Sequence, residues 1–190
     1  VSYGDEISVS VPFKTDFIAS IKAEEFSKLI SKTNEPEINI CLEDDQVMIK
    51  AGKMKAGFST IEYNPESIPD FGFAQLEEWI ELPDDFFKAI RFCIFSASND
   101  PAFGVLCNLK IEKNFIYSTD NYRATEKKIS ENFFVKEDGL LIPRKTAQFL
   151  LNFNLKQYAL APSCIHYKDE TGVVFTHRFV TGDYPSVSNI

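Results

Sequence analysis

Three short stretches of the chain share one pattern of apolar and polar positions. The first runs from Ile21 to Ile30, the second from Leu82 to Arg91, the third from Ile142 to Leu151. An aliphatic residue opens each, and apolar residues then fall at matching places: Phe26 and Leu29, Phe87 and Ile90, Ala147 and Leu150. Spacings of i, i+3 and i+4 define one face of an amphipathic helix. The pattern predicts helices near 22–33, 84–97 and 144–154, with Pro83 and Pro143 in first turns, where a proline loses no hydrogen bond. The segments open about sixty residues apart, which marks an internal repeat.

Alternating or β-branched runs follow each helix. After the first come 38–42, 47–50 and 57–61, with Glu43-Asp44-Asp45-Gln46 as the turn between the first two. After the second come 104–111, 115–119 and 123–129, with a tight turn at Lys113-Asn114. After the third come 158–161, 164–167 and 173–180, with a turn at 169–172. A lead strand precedes each helix: Glu6 to Phe13, Trp79 to Leu82, and Gly139 to Ile142. The chain therefore reads as three β-α-β-β-β units in an α+β architecture, with helices segregated to one side of antiparallel sheets. Asn64 to Gly72, rich in proline and polar residues, is the best linker. That places one domain at 1–72, holding one unit, and a second at 73–190, holding two.

Composition refines this picture. At 190 residues, 44% hydrophobic and 25% charged, the chain has the apolar content to fold. Eighteen Phe against one Trp and two Met predict an aromatic-rich core. No window of eighteen apolar residues exists, and charges at Asp5, Glu6, Lys14 and Asp16 interrupt any leader-like run. The four cysteines form no CxxC pair and read as small buried hydrophobes of a reducing compartment, so a cytoplasmic location is expected.

The net charge of −8 argues by itself against a nucleic-acid partner. Its distribution does not. The three helical segments hold eight bases against four acids, and the remainder holds twelve against twenty-four. Basic helices on one side of an acidic shell suit a ring or groove that holds a polyanion without reading its sequence. A solvated helix face explains any single helix equally well.

Catalytic constellations are weak. His166 and His177 lie in strand patterns and read as core residues rather than metal ligands. Asp84-Asp85 reads as a helix N-terminus, and Glu43-Asp44-Asp45 as a hairpin turn. No phosphate-binding glycine loop, zinc-protease motif or nucleophile elbow is present. The chain is expected to be no enzyme and to need no cofactor or metal. One polar turn stands out, Ser118-Thr119-Asp120-Asn121-Tyr122-Arg123-Ala124, whose Asp and Asn favour an Asx turn or a left-handed residue.

That turn resembles the A-T-D-G-H-R segment of the bacterial sliding clamps, the beta subunit of DNA polymerase III. Leu141-Ile142-Pro143-Arg144-Lys145, Phe95-Ser96-Ala97-Ser98-Asn99-Asp100 with Val105-Leu106, and Thr181-Gly182-Asp183-Tyr184-Pro185 resemble three further clamp segments, in the clamp's order and spacing. Ile21 to Pro69 is similar to the second half of a clamp's first domain, and 73–190 to its whole middle domain.

The resemblance implies a processivity factor. Its helices would line a hole around duplex DNA, its sheets would form the outer wall, and copies would associate into a ring. Polymerase and clamp loader would dock by a short peptide in a pocket formed by Leu106, Thr119, Asn121, Tyr122, Arg123, Ala124, Pro185, Asn189 and Ile190. On the DNA side, Asn99 and Phe103 match a loop that touches DNA, and Lys28, Lys32, Lys88, Arg91, Arg144 and Lys145 would neighbour phosphates. The chain departs from the family where Asn121 replaces a glycine, Ala124 a leucine, and Asn189 a basic residue. The third clamp domain and the first half of the first have no counterpart here, which fits a fragment or a divergent, phage-like member. The alternatives are a clamp-fold peptide adaptor that does not encircle DNA, and an unrelated α+β enzyme.

Overall fold

The structure is a computed structural model, and it describes residues 2–4, 6–62, 71, 78–131, 133 and 139–186. The chain divides into two compact units. The larger comprises Tyr3–Pro12 and Asp70–Ile190, the smaller Phe13–Pro69, with Ser2.

The smaller unit holds helix α1 (Ala23–Ile30) and the antiparallel meander β3 (Asn39–Glu43), β4 (Gln46–Ala51) and β5 (Met54–Ser59). Asp44 and Asp45 both take positive φ, as a two-residue hairpin of the expected kind requires. β4 alternates, burying Val47, Ile49 and Ala51. Phe26 of α1 meets Phe58 edge-on, with centroids 6.3 Å apart. No residue of α1 is buried.

Among the described residues, the larger unit contains two sheets. One has the order β10-β7-β8-β9, built from Leu140–Pro143, Asn108–Glu112, Phe115–Thr119 and Ala124–Lys128. The other has the order β1-β2-β13-β12-β11-β6, built from Ser2–Tyr3, Ile7–Ser10, Val174–Arg178, Cys164–Asp169, Leu155–Leu160 and Ile80–Glu81. Helices α2 (Phe86–Cys93) and α3 (Arg144–Leu150) bury Phe86, Ala89, Ile90 and Cys93, and Thr146, Ala147 and Leu150. The lead strands are exchanged between repeats. β10, which enters α3, pairs with β7, the first strand after α2. β6, ahead of α2, pairs with β11, the first strand after α3. Gly139, at φ +80°, makes the first exchange possible, because a Cβ there would sit 2.6 Å from the carbonyl oxygen of Ile111. Stacked rings of Phe86, Phe133 and Tyr158 fill the core, with centroids 5.0 Å and 4.3 Å apart, as the Phe-rich composition predicts.

Several expectations need correction. The N-terminal strand is shorter than 6–13, and β2 adds to β13 of the larger unit rather than to the meander after α1. Residues 101–107 are 3-10 helical, so the strand expected from 104 begins at Asn108. α2 starts at Phe86 and turns 3-10 at Ile94–Ser96, so Pro83 lies before the helix. Pro143 is the N-cap residue of α3 rather than a first-turn residue. Asp85 stands at an N-cap without capping. Its carboxylate instead accepts the Ser130 N–H at 3.1 Å and the Ser130 hydroxyl at 2.9 Å. The expected linker 64–72, apart from Phe71, lies outside the described residues. Among the described residues, no helix is long and apolar enough to cross a membrane.

Candidate functional site

The polar turn between β8 and β9 is built by its own side chains. Asp120 Oδ1 accepts the backbone N–H groups of Tyr122 and Arg123, both at 3.1 Å, which is an Asx turn. Arg123 Nε donates to Asp120 Oδ2 at 2.9 Å. Burial raises the Asp120 pKa, but these donors outweigh it and hold the carboxyl below the ordinary aspartate range. Thr119 is fully buried; its hydroxyl accepts the Asn121 N–H and donates to the Arg123 carbonyl at 2.9 Å. Asn121 takes φ 72°, the left-handed conformation the sequence suggested for this turn. The result is a closed loop that presents Tyr122, 88% exposed, beside exposed Ala124. The Arg123 guanidinium lies 4.2 Å over the ring of exposed Phe95, joining the loop to the end of α2.

A second element braces the turn. The Tyr184 hydroxyl accepts the Thr119 N–H at 3.0 Å and donates to the Asn108 carbonyl at 3.1 Å, while its ring packs edge-on against Tyr117. Burial pushes the Tyr184 phenol up to about 12, so at neutral pH it stays protonated and fills both roles. Tyr184 therefore ties the Gly182–Pro185 segment to β7 and β8. A side chain on Gly182 would meet Val105 at 3.1 Å, so the residues next to Leu106 lie against the same segment. Sequence reading placed Tyr184 in a motif but not in the site. The signal was available, since a lone tyrosine in a polar segment often seats its hydroxyl on backbone.

Of the expected pocket residues, the structure gathers Thr119, Asn121, Tyr122, Arg123 and Ala124 on one turn, with Leu106 buried and Pro185 half-buried on the segments that brace it. Asn189 and Ile190 lie outside the described residues. A neighbouring recess of ≈ 540 Å³, lined by Lys110, Glu112, Leu141, Thr181 and Tyr184 among others, contains none of the expected residues.

The expected cations divide. Lys32, Lys88, Arg91 and Lys145 are exposed, and Lys88 and Arg91 share the free face of α2. Lys28 is exposed but engaged with Glu24 at 2.5 Å. Arg144 is a correction: one guanidinium nitrogen donates to the carbonyls of Ile94 and Ala97, so this side chain joins α3 to the end of α2 and is not a free phosphate ligand. Asn99 is exposed and Phe103 half-buried, on a loop shaped by Asp100, which accepts the Ala102 N–H at 3.0 Å. Among the described residues there is no cluster of His, Cys, Asp and Glu fit for a metal. Cys93 and Cys164 are buried and all four cysteines are free.

We expect Tyr184→Phe to destabilise the larger unit by about 2 kcal/mol, because a buried N–H and a buried carbonyl each lose a partner. Hydrogen exchange at the Thr119 amide should accelerate with it. Unchanged exchange would show that the hydroxyl is no brace.

No family model matches the chain, and no curated protein matches it in sequence. Solved structures do match. The DNA polymerase sliding clamp of Bacillus subtilis is 20% identical and covers 97% of this chain and 54% of its own, with a TM-score of 0.69. The Thermotoga maritima DNA polymerase III beta subunit is 16% identical, covering 97% and 53%, with a TM-score of 0.71. The Helicobacter pylori beta clamp bound to a DNA ligase peptide is 16% identical, covering 98% and 56%, with a TM-score of 0.73. The chain has the sliding-clamp fold and spans about half the length of these structures.

Proposed function

We propose that this chain is a sliding-clamp subunit, or a segment of one, that holds duplex DNA without reading its sequence and binds a short peptide of a polymerase at the 119–124 turn. It performs no chemistry. The observation that carries the reading is the convergence of the Thr119–Ala124 turn and the Tyr184-Pro185 segment on one unit of clamp fold. A solved clamp of the same fold holds a ligase peptide. An exposed aromatic beside a small apolar residue, backed by fixed donors, suits a short peptide anchored by one or two hydrophobes. Ala124 leaves more room than the leucine of the resembling motif, so a bulkier anchor is expected. Lys88, Arg91 and Lys145, with Asn99, supply the phosphate-facing side, and ring closure would come from self-association or further clamp repeats.

Two titrations test this. A DNA-retention assay on Lys88→Glu/Arg91→Glu should show weaker binding and a shallower salt dependence, by about 0.9 in log–log slope for each phosphate no longer neutralised. Folding should barely change, because exposed charges contribute little to it. A fluorescent clamp-binding peptide should lose at least about tenfold in affinity on Ala124→Asp, because a carboxylate would enter an apolar contact. Peptide binding without DNA retention would favour the adaptor. Absence of both would overturn the proposal.

A further inference from the structure

α2 and α3 carry the same outward pattern. Thr146, Ala147 and Leu150 are buried in α3 where Ala89, Ile90 and Cys93 are buried in α2. In that register Lys88 matches Lys145, Arg91 matches Gln148 and Phe92 matches Phe149, all of them exposed. Each helix thus has a lysine and, one turn on, a phenylalanine on its free side, since positions i and i+4 are surface neighbours. Phe92 is 55% exposed and Phe149 51%. Phe95, in the 3-10 turn that follows α2, is also exposed, with Arg123 over one face of its ring. The free side of an amphipathic helix is ordinarily polar, and exposed rings on a surface are ordinarily scattered singly. Here they recur in register among cations. Residues 86–97 and 144–153 hold four cations and no acid, in a chain of net charge −8. Both helices bury into one core cluster, and Arg144 at the start of α3 donates to the carbonyls of Ile94 and Ala97 at the end of α2. The two stripes are therefore neighbours on one side of the larger unit.

We infer that the free faces of α2 and α3 take single-stranded nucleic acid: unpaired bases stack on Phe92 and Phe149, while Lys88, Arg91 and Lys145 hold the phosphates. Charge alone suffices for a duplex held by its backbone, whose bases are paired and stacked on one another and offer no ring face to the phosphate side. A phenyl ring set among cations gains from a nucleic acid only when a base is free to lie against it, which is how single-strand grooves combine charge with aromatic platforms. The repetition of the pair on two helices suits a polymer that itself repeats phosphate and base. An acidic peptide has no such fixed alternation. This inference rests on the proposal that this side of the chain faces nucleic acid, and adds the strand state that the rings take.

The test titrates the full chain against a fluorescent oligo-dT of about twenty nucleotides, enough for more than one stacking site. A labelled duplex of the same length is titrated in parallel at the same salt concentration. Phe92→Ala and Phe149→Ala should each weaken oligo-dT binding about tenfold, the loss of one stacked base, and leave duplex binding unchanged. Phe149→Leu keeps apolar bulk beside Phe153 and Phe175 but has no ring face, so it should lose nearly as much as the alanine. Phe149→Trp should retain oligo-dT binding, with its emission quenched by the oligonucleotide. Lys145→Gln should weaken both ligands and lower the salt slope for oligo-dT by about 0.7. Phe95 is left unaltered, because it touches the 119–124 turn through Arg123. Equal losses for the duplex and oligo-dT, a leucine variant that binds oligo-dT like the unaltered chain, or duplex binding with none of oligo-dT would each overturn the inference and leave the clamp reading standing. Ring variants that weaken peptide binding but not oligo-dT binding would assign the face to a protein partner and overturn it too. Failure to bind either nucleic acid would overturn both readings.

Discussion

Lowering the pH from 6.5 to 5 is expected to cost the larger unit about 2 kcal/mol for each of two buried histidines, and about 3 kcal/mol each by pH 4. His166 and His177 sit on neighbouring strands β12 and β13, both essentially inaccessible. The His166 Nδ1 lies 2.7 Å from the Thr176 hydroxyl, and His177 Nδ1 lies 2.9 Å from the Arg178 carbonyl. Burial is the main cause that pulls both rings down to about 4 from an ordinary 6.5. Both are therefore neutral in the fold, while the unfolded chain takes up protons as pH drops below 6.5. Stability contributed by the neutral rings is complete above 6.5 and is lost as pH falls toward 4. Aspartates with lowered values, such as Asp120 and Asp169, lose their contribution only further down, so the window from 6.5 to 5 isolates the histidines. Urea unfolding at a series of pH values measures the slope, and His177→Asn should flatten it. A level profile through that window would refute the assignment.

Phe86→Ala should be the most damaging single truncation in the core, costing about 4 kcal/mol. Phe86 opens α2 fully buried. Its ring stacks on Phe133 at 5.0 Å, meets Phe87 edge-on at 5.2 Å and reaches Tyr167 at 6.4 Å. Truncation removes all of these ring pairings at once and leaves a cavity where helix and both sheets meet. Phe86→Leu should cost less than half as much, because most of the volume is kept. Denaturant midpoints at constant m-value report both. A loss below about 1 kcal/mol for the alanine would mean that the cluster collapses onto the gap.

Periodicity along the chain was enough to place all three helices, both two-residue hairpins and the repeat, because each depends on neighbours three, four or two positions away. The same local chemistry marked the turn at 119–124, since Asp120 and Asn121 form their turn within four residues. Other features were settled by partners distant in sequence. β2 pairs with β13 across more than 150 positions, and nothing in its alternation names that partner over the nearer meander. Asp85 had the right place to cap α2, but Ser130 offers its carboxylate three donor interactions. Arg144 read as a surface base until the carbonyls at the end of α2 came within its reach. Tyr184 braces the candidate site through backbone groups of Thr119 and Asn108 that are identical in every sequence. Local patterning decides which segments become helix or strand. Which edges meet, and which polar side chains are drawn inward, depends on the satisfaction of buried backbone groups, and only the assembled tertiary structure brings those groups together.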